Sequence, residues 1–185
     1  MSGAIDRFLD AARVEGIQPD VRRFPEGTKT AADAARAIGC EVGQIVKSLV
    51  FVADDRPVMA FTIGANRVDE AKLAAAVGAG STRRASPEEA RTATGFAVGG
   101  TPPFGHPERL ICVVDQDLLV WDRIWAAAGT PDSVFPLSPA DLIRVTGAKP
   151  AAFTLDRPGT GSAQRARPGT IEGHVPLAPL APEER

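Results

Sequence analysis

The chain has 185 residues, 44% of them hydrophobic, and a formal net charge of −2. These values are typical of one globular domain, and the near-neutral charge excludes a protein that holds nucleic acid by bulk positive charge alone. No apolar run reaches membrane-spanning length, and the N-terminus lacks the apolar segment of a signal peptide. We therefore expect a cytoplasmic protein that binds neither a membrane nor DNA. Its two cysteines lie in no metal or redox motif, so we expect no metal and no cofactor.

The first half of the chain predicts two helices and a β-hairpin. Thr30 is a typical helix cap and Gly39 a typical helix end, while β-branched residues on both sides of the turn at 54–57 predict two paired strands. In chain order, the predicted elements are a helix, a short strand, a second helix and the two strands of the hairpin, over residues 4–15, 21–24, 30–39, 45–53 and 58–63.

The second half predicts three helices and three strands. Asp69, Ser86 and Ser138 are typical helix caps, and a proline follows each of the two serines. Apolar runs predict strands over residues 109–114, 118–121 and 133–137. Because hairpins and scattered helices do not alternate strictly, the pattern favours an α+β fold.

The composition changes near the C-terminus. Nine of the 29 residues from 157 to 185 are Pro or Gly, and no periodicity remains there. We predict a folded domain over 1–156 and a flexible tail over 157–185.

One lysine interrupts an apolar strand. Lys47 shares a strand face with Ile45, Leu49 and Phe51, because successive side chains point to opposite faces. If that face lines a cavity, the ammonium is partly desolvated and attracts an anion such as a phosphate. The structural alternatives are a lysine that reaches solvent from the sheet edge and one that is paired with a buried carboxylate.

A loop rich in glycine and proline is the second chemical signal. Residues 99–106 read Gly-Gly-Thr-Pro-Pro-Phe-Gly-His. Pro102 and Pro103 fix the backbone and lack an N–H, so the N–H groups of Gly99, Gly100 and Thr101 are presented in a stiff frame. Such groups can bind a carbonyl oxygen and stabilise the charge that grows on it during attack. The alternative is a tight connector between two elements.

Two further polar residues are candidates for substrate contact. His106 follows the loop, although a surface or capping histidine would look the same. Ser48 is next to Lys47 but on the opposite strand face, and no Gly-x-Ser-x-Gly elbow supports a serine nucleophile. Phosphate-loop and dinucleotide-binding motifs are also absent. We therefore expect no catalytic triad and no bound nucleotide cofactor.

Three linked segments carry a resemblance to a known family. They are Gln44-Ile-Val-Lys-Ser-Leu-Val-Phe, Gly64-Ala-Asn-Arg-Val-Asp-Glu-Ala-Lys-Leu and Thr94-Gly-Phe-Ala-Val-Gly-Gly-Thr-Pro-Pro-Phe-Gly-His. With these segments in this order, residues 4–153 resemble the YbaK/EbsC family of prolyl-tRNA-synthetase-associated editing domains. The resemblance implies a mixed, largely antiparallel, barrel-like β-sheet flanked by helices.

The resemblance also implies an activity, namely hydrolysis in trans of the ester that joins a wrong amino acid to tRNA. Lys47 matches a family lysine that contacts the 3′-terminal adenosine end. Residues 99–103 match a Gly-x-x-Pro-Pro loop whose backbone orients the aminoacyl group. Where the family often has a serine before the glycine at 129, this chain has alanines at 126–128.

Together these signals predict a deacylase of tRNA mischarged with a small amino acid such as Ala, Cys or Ser. The predicted catalytic residues are Lys47, Gly99, Gly100 and Thr101. The predicted substrate-binding residues are Ser48, Pro102, Pro103, His106 and four candidate pocket walls that could equally be core, Phe24, Ile45, Leu49 and Phe104.

The expected partners are the acceptor end of mischarged tRNA and, as a second candidate, an aminoacyl-tRNA synthetase. Exposed arginines that could hold the tRNA body are Arg22, Arg23, Arg83 and Arg84. Two other functions stay open: a non-catalytic module that binds tRNA or a synthetase, and a small-molecule ester hydrolase on the same scaffold.

Overall fold

The computed structural model describes residues 3–24 and 30–155. The predicted tail at 157–185 lies outside the described residues. The helices of the described part are α1 (Ala4–Val14), α2 (Ala31–Ile38), α3 (Glu70–Val77), α4 (Pro87–Thr94) and α5 (Pro139–Thr146). The strands are β1 (Arg22–Arg23), β2 (Val46–Ala53), β3 (Arg56–Ile63), β4 (Thr82–Arg84), β5 (Ile111–Asp115), β6 (Ile124–Ala127), β7 (Ser133–Leu137) and β8 (Lys149–Ala151).

The strands form two sheets. One has the order β4-β2-β3-β5-β8 and the other the order β1-β7-β6. Strand pairs are antiparallel except for β3–β5 and β5–β8, which are parallel. The α+β class with a mixed, largely antiparallel arrangement is therefore confirmed, but the barrel-like closure is not: the strands remain in two sheets that meet at a single parallel bridge between Ile45 and Trp125.

The predicted helix starts are confirmed by their caps. The hydroxyl oxygens of Thr30, Ser86 and Ser138 accept hydrogen bonds from backbone N–H groups three residues further on. Each cap satisfies one N–H that has no partner inside the helix. The β2–β3 hairpin is also confirmed, with Val46 opposite Ile63 and Ala53 opposite Arg56.

One predicted strand is wrong. Residues 118–121 do not extend, because the Asp115 side chain accepts from the N–H of Asp117 and starts a short 3-10 helix, Gln116–Leu118. The strand of this region begins only at Ile124. The short strands β4 and β8 were not predicted, because three residues carry too little alternation to be recognised.

Apolar residues cover both faces of the five-stranded sheet. Val46 and Val50 face a core that includes Phe8 and Phe135, while Phe51 faces a second core around Leu73 and Phe153. This alternation is the pattern expected of a central strand buried on both sides. Within the described ranges, no helix is long and apolar enough to cross a membrane.

Candidate active site

A cavity of about 200 Å³ is lined by both candidate segments of the sequence, the strand that contains Lys47 and the glycine-proline loop. Lys47 and Ser48 of β2 and Gly99 and Thr101 of the loop all line it. The remaining lining residues are Thr30, Ala31, Ala34, Ile45, Val46, Trp125, Ala127, Pro131, Ser133 and Val134. The strand and the glycine-proline loop therefore share one hollow.

The cavity follows an unpaired edge of β2. Four consecutive residues, 45–48, line it, although successive side chains point to opposite faces. On the side away from β3, β4 pairs only with Phe51, Val52 and Ala53. The first half of β2 thus has no strand partner on this side among the described residues beyond the single bridge from Ile45, and the cavity occupies that space.

Lys47 is held without an ionic partner. Its Nζ donates to the main-chain oxygen of Asn66 at 2.7 Å, and no carboxylate of the described residues pairs with it. Burial lowers the pKa of Lys47 below its ordinary value, and the nearby Arg84 and Arg67 lower it further. A bound anion would reverse this shift, because an opposite charge favours the protonated amine. The alternative of a lysine paired with a buried carboxylate is therefore not what the described residues show.

The glycine-proline loop presents fewer open donors than expected. The N–H of Gly100 donates to the oxygen of Ala97 at 3.0 Å, and the oxygen of Gly100 accepts from the N–H of Gly129 at 3.1 Å. The expectation that the Gly100 N–H is available to a ligand is therefore wrong. The backbone of Gly100 instead connects the loop to the turn after β6. The N–H groups of Gly99 and Thr101 have no acceptor among the described residues, so these two remain available to a ligand.

Gly99 needs its special backbone conformation. Its φ of +89° lies in the left-handed region, which side chains with a Cβ rarely adopt. Thr101 is buried, and its hydroxyl donates to the oxygen of Ala97 at 3.2 Å. The loop is therefore fixed from within, and its geometry does not depend on a ligand.

Ser48 carries an unsatisfied hydroxyl. Its Oγ is buried and has no hydrogen-bond partner, and it is the one such side-chain atom in the described residues. Native structures rarely leave a buried polar atom without a partner. Ser48 lines the cavity, but its Oγ has almost no accessible surface, so a ligand would reach it only after a small movement of the side chain.

His106 lies behind the loop and does not line this cavity. Its Nε2 lies 2.9 Å from the oxygen of Pro102, and since a carbonyl only accepts, this nitrogen carries the proton. The ring packs edge-on against Phe96. Pro102 and Pro103 are buried and likewise absent from the lining. The structure thus places all three residues where they can support the loop rather than touch a substrate in this cavity.

His106 gives a testable pH dependence. Burial lowers its pKa below the ordinary 6.5, and the Pro102 bond opposes this only in part. The unfolded chain therefore takes up the proton first as the pH falls, so the free energy of unfolding should decrease below about pH 6.5 and level off once the folded-state pKa is passed. We expect His106→Gln, which keeps an N–H donor, to lose less stability than the wild type between pH 7 and pH 5 in urea titrations. Equal losses would contradict this assignment.

The four predicted pocket walls have different places. Ile45 lines the cavity, and Phe24 packs behind it in a cluster with Trp125. Leu49 packs against the second core, around Leu73 and Phe153. Phe104 is buried between Phe8 and Phe135 at ring-centroid distances of 5.4 and 5.9 Å. None of these three residues lines the cavity: Phe104 is a core residue, and Phe24 and Leu49 are partly buried and pack against core clusters.

The sequence-based prediction missed the walls that come from distant segments. Trp125, Ala127 and Ser133 belong to β6 and β7, and Ala34 belongs to α2. Thr30 was predicted only as a helix cap. No local pattern marks these positions, because they meet the strand only through the packing of the two sheets.

A larger groove, of about 630 Å³, lies at the other end of β2. Asp55, Glu88 and Glu108 line it, together with Arg83, whose guanidinium is paired with Glu89 at 2.7 Å. No cation among the described residues forms an ion pair with these three carboxylates, which therefore repel phosphate groups. The smaller cavity is therefore the better candidate site for an anionic ligand, and Arg83 is a weaker candidate for contact with an anion than Arg84.

The chain is similar to several known proteins. A prolyl-tRNA ligase of Streptococcus thermophilus is 29% identical over 180 residues, which are 93% of this chain and 28% of that ligase. A prolyl-tRNA ligase of Streptococcus mutans is 35% identical over 98 residues, which are 52% of this chain and 16% of the ligase. The chain thus spans under a third of the length of these relatives.

A solved structure described as a candidate trans-editing enzyme for prolyl-tRNA synthetase is 42% identical, with a TM-score of 0.79, and the match covers 84% of this chain and 99% of that one. Residues 25–145 match the family described as the aminoacyl-tRNA editing domain. The predicted resemblance is confirmed: the chain belongs to the aminoacyl-tRNA editing domain family, in the branch associated with prolyl-tRNA synthetase.

Proposed function

We propose that the chain hydrolyses the ester between a small amino acid, such as Ala, Cys or Ser, and the 3′ end of a mischarged tRNA. The observation that carries this proposal is the one cavity that Lys47 lines together with Gly99 and Thr101, whose N–H groups have no acceptor among the described residues. Membership of the editing-domain family and the match to a candidate trans-editing enzyme support it. The cytoplasm, where aminoacyl-tRNA is used, is the compartment we propose.

The reaction needs polarisation and positioning more than strong acid–base groups. Water adds to the acyl carbon, the carbonyl oxygen becomes an oxyanion, and the acyl–oxygen bond to the ribose breaks. The ribose oxygen leaves with a proton derived from the water, and the free amino acid departs. We expect the N–H groups of Gly99 and Thr101 to donate to the oxyanion, and each such donor is typically worth about 3–4 kcal/mol.

Lys47 is suited to hold the negatively charged end of the tRNA. It is half-buried, it lacks an ionic partner among the described residues, and burial lowers its pKa. The guanidinium groups of Arg67 and Arg84 raise the positive potential around it and likewise have no acceptor in the part of the chain that the structure describes. Together these three cations can attract terminal phosphates.

The size of the cavity favours a small acyl group. Its 200 Å³ is below the roughly 300–1,000 Å³ typical of sites for drug-sized ligands. Alanine side chains at 34 and 127 leave this room. One methylene changes binding by only about 1–3 kcal/mol, so we expect graded rather than absolute discrimination among small amino acids.

Ser48→Ala separates substrate contact from folding. Because its Oγ has no partner in the folded chain, removing it leaves no group unpaired and should keep or slightly raise the free energy of unfolding. If the hydroxyl binds substrate, kcat/KM should fall about tenfold, whereas Ser48→Thr should retain most activity. Deacylation assays and urea titrations of both variants test this, and an active Ser48→Ala would remove Ser48 from the site.

A deacylation screen tests the proposed function. The full chain is incubated with a tRNA that is mischarged with alanine, cysteine or serine. The control is the same tRNA charged with its cognate amino acid, and the release of free amino acid is followed in each case. Faster release from a mischarged tRNA than from the cognate one supports editing. Binding of tRNA or of a synthetase without release would favour the non-catalytic module, and rapid hydrolysis of free amino-acid esters without tRNA would favour the small-molecule hydrolase.

A further inference from the structure

A buried polar cluster connects Lys47 to a carboxylate that lies outside the cavity lining. Asp115, at the end of β5, is 3% exposed. Its Oδ2 accepts from the Thr62 hydroxyl at 2.9 Å and from Nδ2 of Asn66 at 2.7 Å, and its Oδ1 accepts from the N–H of Asp117 at 3.1 Å. Both carboxylate oxygens are thus engaged, and the side chain is fixed.

The sheet register aligns this cluster with Lys47. Lys47 stands directly opposite Thr62 in the β2–β3 pair. Phe61 pairs with Val114 in the parallel β3–β5 pair, so the next residues, Thr62 and Asp115, are also neighbours. Directly paired residues share a face of the sheet, and the three polar side chains therefore form a row across three adjacent strands.

Asn66 links Asp115 to Lys47 through hydrogen bonds to both residues. Its side chain donates to Asp115 and, at 3.1 Å, to Asp117. Its main-chain oxygen accepts from Nζ of Lys47 at 2.7 Å. The residue is 4% exposed, and its N–H donates to the oxygen of Ile63 at 3.1 Å, so its side-chain bonds add to a backbone bond in fixing this oxygen.

We propose that Asp115, acting through Asn66, is a positioning residue that holds the Lys47 amine for the editing reaction. It touches no substrate; it fixes the asparagine whose main-chain oxygen orients the amine. Thr62 supports the same carboxylate from the neighbouring strand. This proposal rests on the proposed function of Lys47, but the geometry it claims can be measured without any turnover.

A double-mutant cycle tests the coupling. Asn66→Ala keeps the main-chain oxygen but removes its anchor, and should lower kcat/KM about tenfold. It should change the same parameter, kcat or KM, that Lys47→Ala changes. In the Lys47→Ala background the same substitution should have no further effect, since coupled residues do not add. A full additional loss in that background would overturn the proposal and leave the role of Lys47 intact.

Two milder variants separate positioning from folding. Thr62→Val removes one donor to Asp115 at nearly constant volume and should reduce activity, while Thr62→Ser should restore it. Thr146→Val is the matched control, because Thr146 is also buried and its hydroxyl bonds backbone atoms in α5 and the following turn. It should lose stability without losing kcat/KM. Equal activity losses in Thr62→Val and Thr146→Val would mean a structural role only.

An NMR measurement distinguishes failure of this proposal from failure of the proposed function. The chain has four lysines, and the Lys47→Ala spectrum identifies the Lys47 signal. The two Hε protons of a fixed side chain have different shifts, and in Asn66→Ala they should merge as the amine becomes mobile. Unchanged signals would overturn the positioning role. If the signals merge but the chain deacylates no tRNA, the positioning role is supported and the proposed function is contradicted.

Discussion

Lys47→Ala is expected to lower kcat/KM for deacylation by about 10–10²-fold, because a hydrogen bond to a charged group such as a phosphate contributes about 1.5–3 kcal/mol. The amine lines the cavity, and burial and two arginines lower its pKa. It makes one hydrogen bond, to the oxygen of Asn66, so the variant should remain folded and lose little stability. Single-turnover deacylation of mischarged tRNA, with a urea titration in parallel, measures both quantities.

Lys72→Ala is the matched control for that experiment. Lys72 is also half-buried, and its Nζ donates to a main-chain oxygen, that of Thr154, at 3.1 Å, but it does not line the cavity. It should keep the activity of the wild type. If Lys47→Ala and Lys72→Ala deacylate equally well, Lys47 has no role in the reaction.

Gly100→Ala should strongly reduce kcat for deacylation, because it should move the loop. A Cβ at this position would lie 2.7 Å from Cα and C of Thr130 and 3.0 Å from the oxygen of Gly129. These are backbone atoms that cannot rotate away, so the loop or the turn must shift, at a loss of about 1–3 kcal/mol of stability. A shift near 1 Å in the donors of Gly99 and Thr101 should reduce kcat about a hundredfold.

Gly80→Ala controls for the change from glycine to alanine itself. A Cβ there would meet only Asp54, at 3.5 Å, which is an ordinary contact, and Gly80 is remote from the cavity lining. We expect normal deacylation from this variant. A Gly100→Ala protein with wild-type turnover would show that the loop only connects α4 to β5.

The elements that the sequence predicted well are those with local physical causes. A serine or threonine that caps a helix acts within three residues, as at Thr30 and Ser86, and a hairpin joins neighbours in the chain. The prediction of a strand at 118–121 was wrong, also because of a local interaction. A side-chain bond from Asp115 favoured a 3-10 turn over the extension that its apolar residues predict.

The candidate active site was predictable only in its two central parts. Lys47 stood out as a cation in an apolar strand, and the glycines and prolines of the loop stood out by composition. That the Gly100 N–H is bound to Ala97 depends on how the loop folds back, and no residue pattern shows this. The Asn66–Asp115 contact joins positions 49 residues apart, and it exists only because β5 lies beside β3.

Among the described residues, the unpaired edge of β2 implies a trade-off between the stability of the sheet and the proposed activity. An unpaired strand edge is normally a liability, since it invites pairing with other chains. A longer β4 would add hydrogen bonds along this edge and strengthen the sheet, yet its backbone would fill the cavity that we propose for the substrate. Thermostabilised forms of this protein should therefore gain their stability elsewhere, for example in the cores on the two faces of the sheet, and a consolidated edge should be found only in chains that have lost the reaction.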